Sequence, residues 1–403
     1  MRCGGEIFHY MLRLIVPLLC CITQFHPISV AEDWQHAVMT PILEVSRLSI
    51  FSGFLCAAAA QASSSFDVFK HVDQLIGTDN GGNVFAGATL PYGMAKAVAD
   101  VDGQNTGGFS TDGSNVTGFS HMHDSGTGGN PSLGNFPLFP QYCADDVLDN
   151  CNFLIESRKL PYVESSVVAT PGYFSLSLES GIQAEMTVTQ HAALYRFTFP
   201  SEKGADGKEL SPLILVDLTD LAASRQNATV SVEGSRIKGN GTFIPSFGGG
   251  SFISHFCADF SGSSVKDSGI WVNNRAGTEP KDLFVTRGIN LFYIEAGGFI
   301  RLDRPADGVV SARVGVSLVS ADQACRNAEN EIADWDFERI QKAAESAWRE
   351  KLSVVSVEAG GASDSLQTNF FSAIYRTMIS PQNYTGENPL WDSNEPYFDS
   401  FYW

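Results

Sequence analysis

The sequence predicts a mainly β protein in which an antiparallel β-sandwich is followed by helices. Two observations carry this prediction. From Pro171 onward the chain consists of short alternating runs of apolar and polar residues, separated by Gly, Ser, Asn and Pro. This spacing is typical of a sandwich of short strands. At Asp322 the pattern changes to apolar residues at near-helical spacing. With 403 residues, the chain is long enough for one large domain or two.

Residues 1–62 contain two short hydrophobic runs that resemble secretory signals. The runs are "MLRLIVPLLCCITQF" from Met11 and "LSIFSGFLCAAAAQASS" from Leu48, and each combines a basic residue with a short apolar core. Both are shorter than the roughly 18 to 20 residues of a membrane span, so no stable span is expected. Because Met39 begins a complete signal peptide by itself, residues 1–38 are interpreted as a gene-model extension. We expect a secreted chain whose mature form starts near Ser63.

Residues 63–320 are predicted to form the sandwich. Its strand-like runs include "GYFSLSLES", "IQAEMTVTQHAALYRFTF", "SPLILVDLTDL", "ATVSVEGSRIKGNGTF", "SFISHFCADF" and "GVVSARVGVSLVS". Alternation places every second side chain on the same face of a strand, which suits a sheet with one buried face. The pattern therefore predicts antiparallel strands rather than a parallel sheet with crossover helices.

Residues 321–352 are predicted to form one amphipathic linker helix. Its apolar residues follow near-helical spacing: they are Ile332, Trp335, Ile340, Ala344 and Trp348. Residues 353–403 begin with the strand-like "SVVSVEAG". They continue with a helix that has its N-cap among residues 363–365 and ends at Pro381. One helix in about fifty residues cannot enclose a core of its own, so this region is expected to be the truncated start of a second domain.

The charge and the glycosylation sequons indicate an extracellular protein without a nucleic-acid partner. The chain has 26 Lys and Arg residues against 45 Asp and Glu residues, a formal net charge of −19. A surface this acidic repels nucleic-acid phosphates. Asn-X-Ser/Thr sequons occur at Asn115, Asn227, Asn240 and Asn383, and these are predicted glycosylation sites.

The cysteines of the mature region suggest disulfides. They are Cys143, Cys151, Cys257 and Cys325, an even number in an oxidising compartment. Cys143 and Cys151 are close enough in sequence to close a small loop, so this pair is predicted. Cys257 with Cys325 is the complementary pair, and buried free thiols are an open alternative for it.

The stretch Gly118 to Gly129, "GFSHMHDSGTGG", places two histidines and an aspartate among four glycines. In an extended segment His121 and His123 lie on the same face, so both could point at one metal ion, proton or sugar hydroxyl. The glycines allow sharp bends or a close backbone approach. The Gly-Lys-Ser/Thr of a phosphate-binding loop is missing.

Three segments together resemble a known family. They are "VDQLIGTDNGGNVFAGATLPYGMAKAVAD", "GFSHMHDSGTGGNPSLGNFPLFP" and "FFSAIYRTMISPQNYTGENPLWDSNEPYFDSFYW". In this order, from about Phe66 to Trp403, they look like the N-terminal half of glycoside hydrolase family 92, the secreted exo-acting α-mannosidases. The resemblance implies an N-terminal β-sandwich packed on an (α/α)6 helical barrel. It also implies an active site between them, a need for calcium, and inversion at the anomeric carbon.

The resemblance implies roles for particular residues and for the missing part of the enzyme. Asn83, His121, His123 and Asp124 are expected to contact the substrate or to line the domain interface. The expected substrate is a mannose-containing N-glycan or mannan. In the family, the catalytic acid, the catalytic base and the calcium ligands lie in the helical domain beyond the position of residue 403. This chain is therefore expected to be a fragment that is inactive alone.

Other interpretations of the same residues remain open. The histidines could be packing residues that hydrogen-bond to the backbone. The sandwich could be a non-catalytic carbohydrate-binding module with Trp271, Tyr293 or Trp391 as an aromatic platform. Alternatively, His121 and His123 could join His191 or His255 in the metal site of a β-barrel oxygenase. The unbroken order of mannosidase-like segments argues against the oxygenase.

Overall fold

Alternating apolar and polar residues build two large antiparallel sheets. The computed structural model describes residues 66–103, 107–124, 131–289, 292–358 and 360–399, and the predicted signal region 1–62 lies outside them. The strands of the first sheet are β1 (Ala88–Thr89), β2 (Lys96–Val101), β3 (Val116–Ser120), β4 (Leu138–Tyr142), β9 (Pro212–Asp217), β13 (Val265–Val272), β14 (Arg275–Gly277) and β16 (Ala296–Leu302). Its spatial order is β1-β2-β3-β4-β9-β16-β13-β14.

The second sheet contains the longer strands. They are β5 (Val168–Thr170), β6 (Tyr173–Ser177), β7 (Gln183–Val188), β8 (Ala192–Thr198), β10 (Asn227–Glu233), β11 (Arg236–Phe243), β12 (Phe252–Ser261), β15 (Asp282–Thr286) and β17 (Val309–Ser317). The spatial order is β15-β10-β11-β12-β17-β8-β7-β6-β5. A small pair, β18 (Gln382–Asn383) and β19 (Phe398–Asp399), lies near the C-terminal end of the described chain.

The two sheets pack face to face through their apolar sides. In β11, buried and partly exposed residues alternate along the whole strand, as expected when one face is buried. Phe119 of the first sheet meets Phe197 of the second with ring centroids 5.7 Å apart. Both rings are fully buried. The predicted antiparallel β-sandwich is therefore confirmed.

The helical region differs from the prediction of a single linker helix over 321–352. After the short helix α1 (Ile155–Arg158), the helices are α2 (Ala321–Glu331), α3 (Phe337–Leu352) and α4 (Asp364–Thr377). The predicted helix is interrupted because Trp335 has a left-handed φ of 58°. Asp336 then caps a new helix by accepting a hydrogen bond from the Arg339 N–H. The single-helix prediction overlooked this N-cap.

The segment after α3 also departs from the sequence prediction. Residues 355–358 of "SVVSVEAG" form no strand, so the strand-like interpretation of these residues is wrong. The start of the following helix agrees with the prediction, because it begins after Ser363, whose hydroxyl accepts from the Leu366 N–H. The helix ends at Thr377, before the predicted end at Pro381. Within the described residues, no helix is long and apolar enough to cross a membrane.

The helices pack on the sandwich at particular close contacts. At Gly315 in β17, an added Cβ would lie 1.9 Å from the Ala324 carbonyl oxygen, so only glycine lets α2 approach this closely. Trp348 of α3 is buried, and its indole N–H donates to the Thr89 carbonyl at 2.6 Å. Tyr375 of α4 packs on Trp348 with ring centroids 4.4 Å apart.

The N-terminal segment of the described chain lies against α4. The Asp73 N–H donates to Ser372 Oγ at 2.9 Å, and the Gln74 side chain donates to the Tyr375 hydroxyl. Further along, Arg376 donates to the Ile76 carbonyl. We call residues 66–76 the N-terminal strap. It is the partner for much of the buried face of α4.

Candidate functional site

The "GFSHMHD" segment leaves β3 and enters the protein interior. His121, His123 and Asp124 are buried, and the remaining residues of the loop, 125–130, lie outside the described chain. The two histidines do not share a partner: His121 faces Tyr195, whereas His123 faces Asp100 and Ser120. The expected convergence of both rings on a single ligand is absent from the described residues.

His123 is fixed by hydrogen bonds on both sides of its ring. Nε2 lies 2.8 Å from Asp100 Oδ1 and 2.9 Å from Ser120 Oγ. Nδ1 lies 2.9 Å from the Lys96 carbonyl oxygen; since that oxygen can only accept, Nδ1 carries the proton. Gly108, with φ 110°, lies beside His123 and Asp100, and a Cβ added to it would be 3.2 Å from His123 Nε2. This arrangement orients the imidazole and seals it from solvent.

His121 is held neutral. Its Nδ1 lies 3.3 Å from the Tyr195 hydroxyl, which itself donates to the Ser120 carbonyl. Burial, with a smaller contribution from nearby His123, lowers the pKa of His121 to about 3. Nε2 has no hydrogen-bond partner within the described chain. The ring can therefore act only as a neutral polar group at ordinary pH.

Asp124 and Lys96 form the junction between the sandwich and the C-terminal segment. Lys96 is fully buried, and its ammonium donates to the Gly93 carbonyl at 2.9 Å. Burial lowers the pKa of Lys96 to about 7, although the Asp124 carboxylate opposes this shift. In the orientation that satisfies its amide, Gln382 accepts from Lys96 Nζ at 3.1 Å and donates to the Asp399 carbonyl at 2.9 Å.

Asn83 belongs to a neighbouring tight turn. It has a left-handed φ of 53°, and its amide donates to the Gly81 carbonyl at 3.0 Å. The next residue, Val84, closes the turn by donating to the Gly77 carbonyl. The Val84 carbonyl oxygen lies so close to Gly107 that a Cβ added to Gly107 would be 2.5 Å from this oxygen. The turn therefore contacts Gly107, and the following residue, Gly108, borders His123.

Within the described residues, the histidines do not assemble a metal centre. In the described ranges, no three His, Cys, Asp or Glu side chains are placed to hold a metal ion. His191, one of the residues available to an oxygenase site, pairs instead with Glu331 at 2.7 Å. His255 lies in β12 of the second sheet. The described residues also lack a group of three carboxylates that could bind calcium.

The three aromatic residues expected to form a sugar-binding platform differ in their exposure. Trp271 is fully buried, and its indole N–H donates to the Gly298 carbonyl, so it cannot stack on a sugar. Tyr293 packs on the guanidinium of Arg225, 4.6 Å from its ring centroid. Only Trp391 of the three is largely exposed, at 57%.

Sequence reasoning missed several residues that form this site. Lys96, Asp100, Tyr195 and Gln382 are spread over the chain from β2 to β18, and spacing alone does not bring them together. One signal was present: Lys96 stands inside the apolar run "GMAKAVADV". A lysine in a strand that is otherwise buried on both faces needs a partner.

The predicted disulfide pairs are joined in the structure. Cys143 bonds to Cys151, and Cys257 of β12 bonds to Cys325 of α2. The four sequon asparagines are all partly exposed. Asn115 precedes β3, while the other three lie in strands: Asn227 in β10, Asn240 in β11 and Asn383 in β18.

Comparison with protein families identifies the class as a glycosyl hydrolase. Residues 71–317 match the glycosyl hydrolase family 92 N-terminal domain, and residues 323–402 match the family 92 catalytic domain. The chain belongs to glycosyl hydrolase family 92. The first match ends with β17, and the second begins in the first turn of α2, where the sandwich gives way to helices.

Individual relatives agree with this membership. An uncharacterized secreted glycosidase of Arthroderma benhamiae is 60% identical over 343 residues, which are 83% of this chain and 44% of the relative. A family GH92 α-mannosidase from Bacteroides thetaiotaomicron has a similar structure, with a TM-score of 0.65 and 23% identity over 78% of this chain and 41% of its own. For a GH92 inverting mannosidase from the same organism, the TM-score is 0.67 and the identity 20%, over 84% and 45% of the two chains.

These comparisons support three statements about the chain. The solved structures confirm the fold of the sandwich and of the first helices. The predicted extracellular location is confirmed by the relative that is named as secreted. The chain spans less than half the length of each of these relatives.

Proposed function

We propose that this chain is the N-terminal part of an inverting α-mannosidase that removes mannose from N-glycans or mannans. The two family 92 domain models match in the expected order. Of the similar solved structures, one is named as an α-mannosidase and another as an inverting mannosidase. These names support a mannose-containing substrate and inversion, and the N-glycan or mannan is our proposal.

The single observation that carries the proposal is the burial of the "GFSHMHD" loop against the catalytic-domain match. Lys96 of the sandwich donates to Gln382, in the segment that matches the family's catalytic domain, and the Asp124 carboxylate lies close enough to Lys96 to raise its pKa. Burial, and then the nearby Asp124 carboxylate, raise the pKa of Tyr384. The two matched domains therefore meet beside Lys96 and Asp124, and we propose that the mannose pocket is formed at this junction.

Within this junction the histidines are positioning residues. His123 ties the end of β3 to Asp100 in β2 and to the Lys96 backbone. We propose that His123 thereby keeps the end of β3 and the Lys96 backbone in a fixed arrangement at the junction. Asn83 belongs to the neighbouring turn and is proposed to line the mouth of the same pocket.

Inverting hydrolysis sets requirements that this chain is proposed not to meet alone. One carboxylic acid must protonate the leaving oxygen and one carboxylate must activate water, at a separation of roughly 6.5–9.5 Å. We propose that both groups belong to the remainder of the full-length enzyme. Calcium dependence is proposed for that full-length enzyme too. The described residues do not group three acidic, histidine or cysteine side chains for a metal ion, and we propose that the calcium ligands belong to the remainder of that enzyme.

The test compares residues 63–403 with a full-length relative, each assayed with α-linked mannobiose in calcium and in a chelator. We expect calcium-dependent release of mannose by the full-length protein and no turnover by residues 63–403. Loss of an acid or base alone lowers the rate about 10²- to 10⁴-fold. Calcium-dependent turnover by residues 63–403 would contradict the proposal, because the catalytic groups would then lie within this chain. Mannan binding without turnover by either protein would favour a non-catalytic carbohydrate-binding sandwich.

A further inference from the structure

Two glycosylation sequons face each other on neighbouring strands. Asn227-Ala228-Thr229 lies in β10 and Asn240-Gly241-Thr242 lies in β11. In the antiparallel register Asn227 is opposite Thr242, and Thr229 is opposite Asn240. Each asparagine therefore stands across from the threonine of the other sequon. The Thr242 hydroxyl donates to Asn227 Oδ1 at 3.2 Å, so the amide oxygen, and not the nitrogen, takes part in this bond.

All four side chains lie on the outer face of the second sheet. Along β10 and β11 the sequon residues are partly exposed, whereas the intervening Ala228 and Gly241 are buried. Strand alternation places residues 227 and 229 on one face together with residues 240 and 242. Both asparagines thus project from one small area of this sheet.

Exposed apolar side chains border the paired sequons on both sides. In β15, Phe284 is opposite Thr229 and is 64% exposed. In β12, Ile253 is opposite Thr242 and is 51% exposed. Residues at diagonal positions of adjacent strands lie about 7–8 Å apart. Asn227 is diagonal to Phe284, and Asn240 is diagonal to Ile253.

We propose that N-linked glycans on Asn227 and Asn240 form a paired shield that covers Phe284 and Ile253. In the secretory pathway the asparagine amide Nδ2 attacks C1 of an oligosaccharide carried on a lipid pyrophosphate. An N–C1 bond forms, the C1–O bond to the pyrophosphate breaks, Nδ2 loses a proton, and the lipid pyrophosphate leaves. The first N-acetylglucosamine of each glycan then lies over an apolar neighbour, which removes apolar surface from water.

The other two sequons lack this arrangement in the described structure. The Asn115 amide donates to Asp102 at 3.4 Å, and Asn383 Oδ1 accepts from the Thr385 of its own sequon. No other sequon in the described strands is paired with either of them. Because the backbone of Asn115 bonds to that of Asp102, its cross-strand neighbour is a carboxylate and not an exposed apolar side chain. Asn115 therefore provides a control site.

The first experiment measures occupancy on the full chain secreted from a eukaryotic host. Peptides that contain Asn227 and Asn240 are analysed by mass spectrometry before and after enzymatic removal of N-glycans. We expect both asparagines to be glycosylated in the same folded molecules. Unmodified Asn227 or Asn240 in the folded, secreted protein would overturn the proposal.

The second experiment tests the shield itself on folded glycoprotein. Trimming each glycan to a single N-acetylglucosamine is expected to leave the protein monomeric in size-exclusion chromatography. Complete removal is expected to shift it to an earlier, self-associated peak. Equal elution of the trimmed and the fully deglycosylated protein would contradict the covering role of the first sugar.

Matched variants separate the shield from a general effect of glycans. Asn227→Gln with Asn240→Gln is expected to self-associate, whereas Thr229→Ser with Thr242→Ser keeps both sequons and is expected to stay monomeric. Asn115→Gln, which removes the control sequon that precedes β3 in the first sheet, is expected to have no effect. Adding Phe284→Ser and Ile253→Ser to the double Gln variant is expected to restore the monomer. Self-association that persists in this quadruple variant would refute the proposal, because the apolar residues would then not be its cause.

Discussion

His121 and His123 show how two side chains separated by one residue acquire different chemistry. His123 donates to a carbonyl and faces a carboxylate, whereas His121 is fully buried and faces a phenol. The sequence motif does not distinguish the two histidines, but their surroundings in the structure differ. Their separate environments arise because β3 ends at Ser120, so strict strand alternation no longer governs the following residues.

The lowered pKa of His121 predicts a pH dependence of stability. The folded pKa of about 3 lies below the unfolded value of about 6.5, so the unfolded chain binds more protons between these limits. The free energy of unfolding therefore rises with pH through this window and reaches its full value above about pH 6.5. His121→Leu is expected to flatten this rise by about 2–4 kcal/mol, measured by denaturant unfolding between pH 4 and pH 8.

A second histidine provides the control for that experiment. Burial lowers the pKa of His191, but the hydrogen bond and the charge of Glu331 outweigh it and raise the pKa overall. Its contribution is present below the unfolded pKa and is lost as pH rises through the folded pKa. His191→Gln should therefore change the pH profile in the opposite direction. An identical change in both variants would contradict the assignment to His121.

The His123–Asp100 pair predicts a coupling between two substitutions. His123→Leu leaves the buried Asp100 carboxylate without its imidazole partner, which is expected to lower the free energy of unfolding by about 3–5 kcal/mol. Asp100→Asn in the same protein removes the charge and is expected to recover part of that loss. Denaturant unfolding of both single variants and the double variant measures the coupling. Simple additivity would mean that the two side chains do not interact.

At the scale of elements, the two disulfides constrain loops of very different length. Cys257–Cys325 closes a sequence separation of 68 residues and ties α2 to β12, whereas Cys143–Cys151 closes a separation of 8. By loop entropy, removing the longer link costs about 4 kcal/mol and removing the shorter one about 2.5 kcal/mol. Cys257→Ser with Cys325→Ser should thus lower the unfolding midpoint more than Cys143→Ser with Cys151→Ser. The reverse order in thermal or urea unfolding would contradict this ranking.

The helices explain which elements the sequence could predict. The start of α4 was predictable because Ser363 precedes the apolar run and caps it. The division of residues 321–352 into α2 and α3 was harder, since the apolar spacing continues across the break. There the local signal of Asp336 as an N-cap competes with that spacing, and Trp335 adopts a left-handed conformation that bulky residues rarely take.

At the scale of the whole molecule, strand alternation predicted the sandwich because its period is a local property. The junction around Lys96 was not predictable in the same way. Its partners Asp124 and Gln382 lie 28 and 286 positions further along the chain, and no spacing rule joins such distant residues. The three family-like segments did converge there, but their roles in substrate contact remain predictions.

The N-terminal strap predicts that the two ends of the described chain are stabilised together. Deleting residues 63–75 removes the partners of Ser372 and Tyr375, so the amides of α4 are expected to lose protection from hydrogen exchange. Asp67→Ala is a milder control, because it leaves the strap's contacts with Ser372 and Tyr375 in place. It removes a half-exposed ion pair with Arg349, worth about 0–1 kcal/mol, and the hydrogen bond from the Phe69 N–H. Unchanged protection of α4 after the deletion would show that the strap does not hold this helix.

The strap also sets the order in which this protein can mature in the cell. Its contacts with α4 join residues about 300 positions apart in sequence. At roughly 5–20 residues per second, the ribosome completes α4 about 15–60 seconds after the strap has emerged. During that interval Phe69, Leu75 and their neighbours lack a helix that forms part of their final surroundings. The earliest part of the folded region is therefore among the last to reach its native contacts.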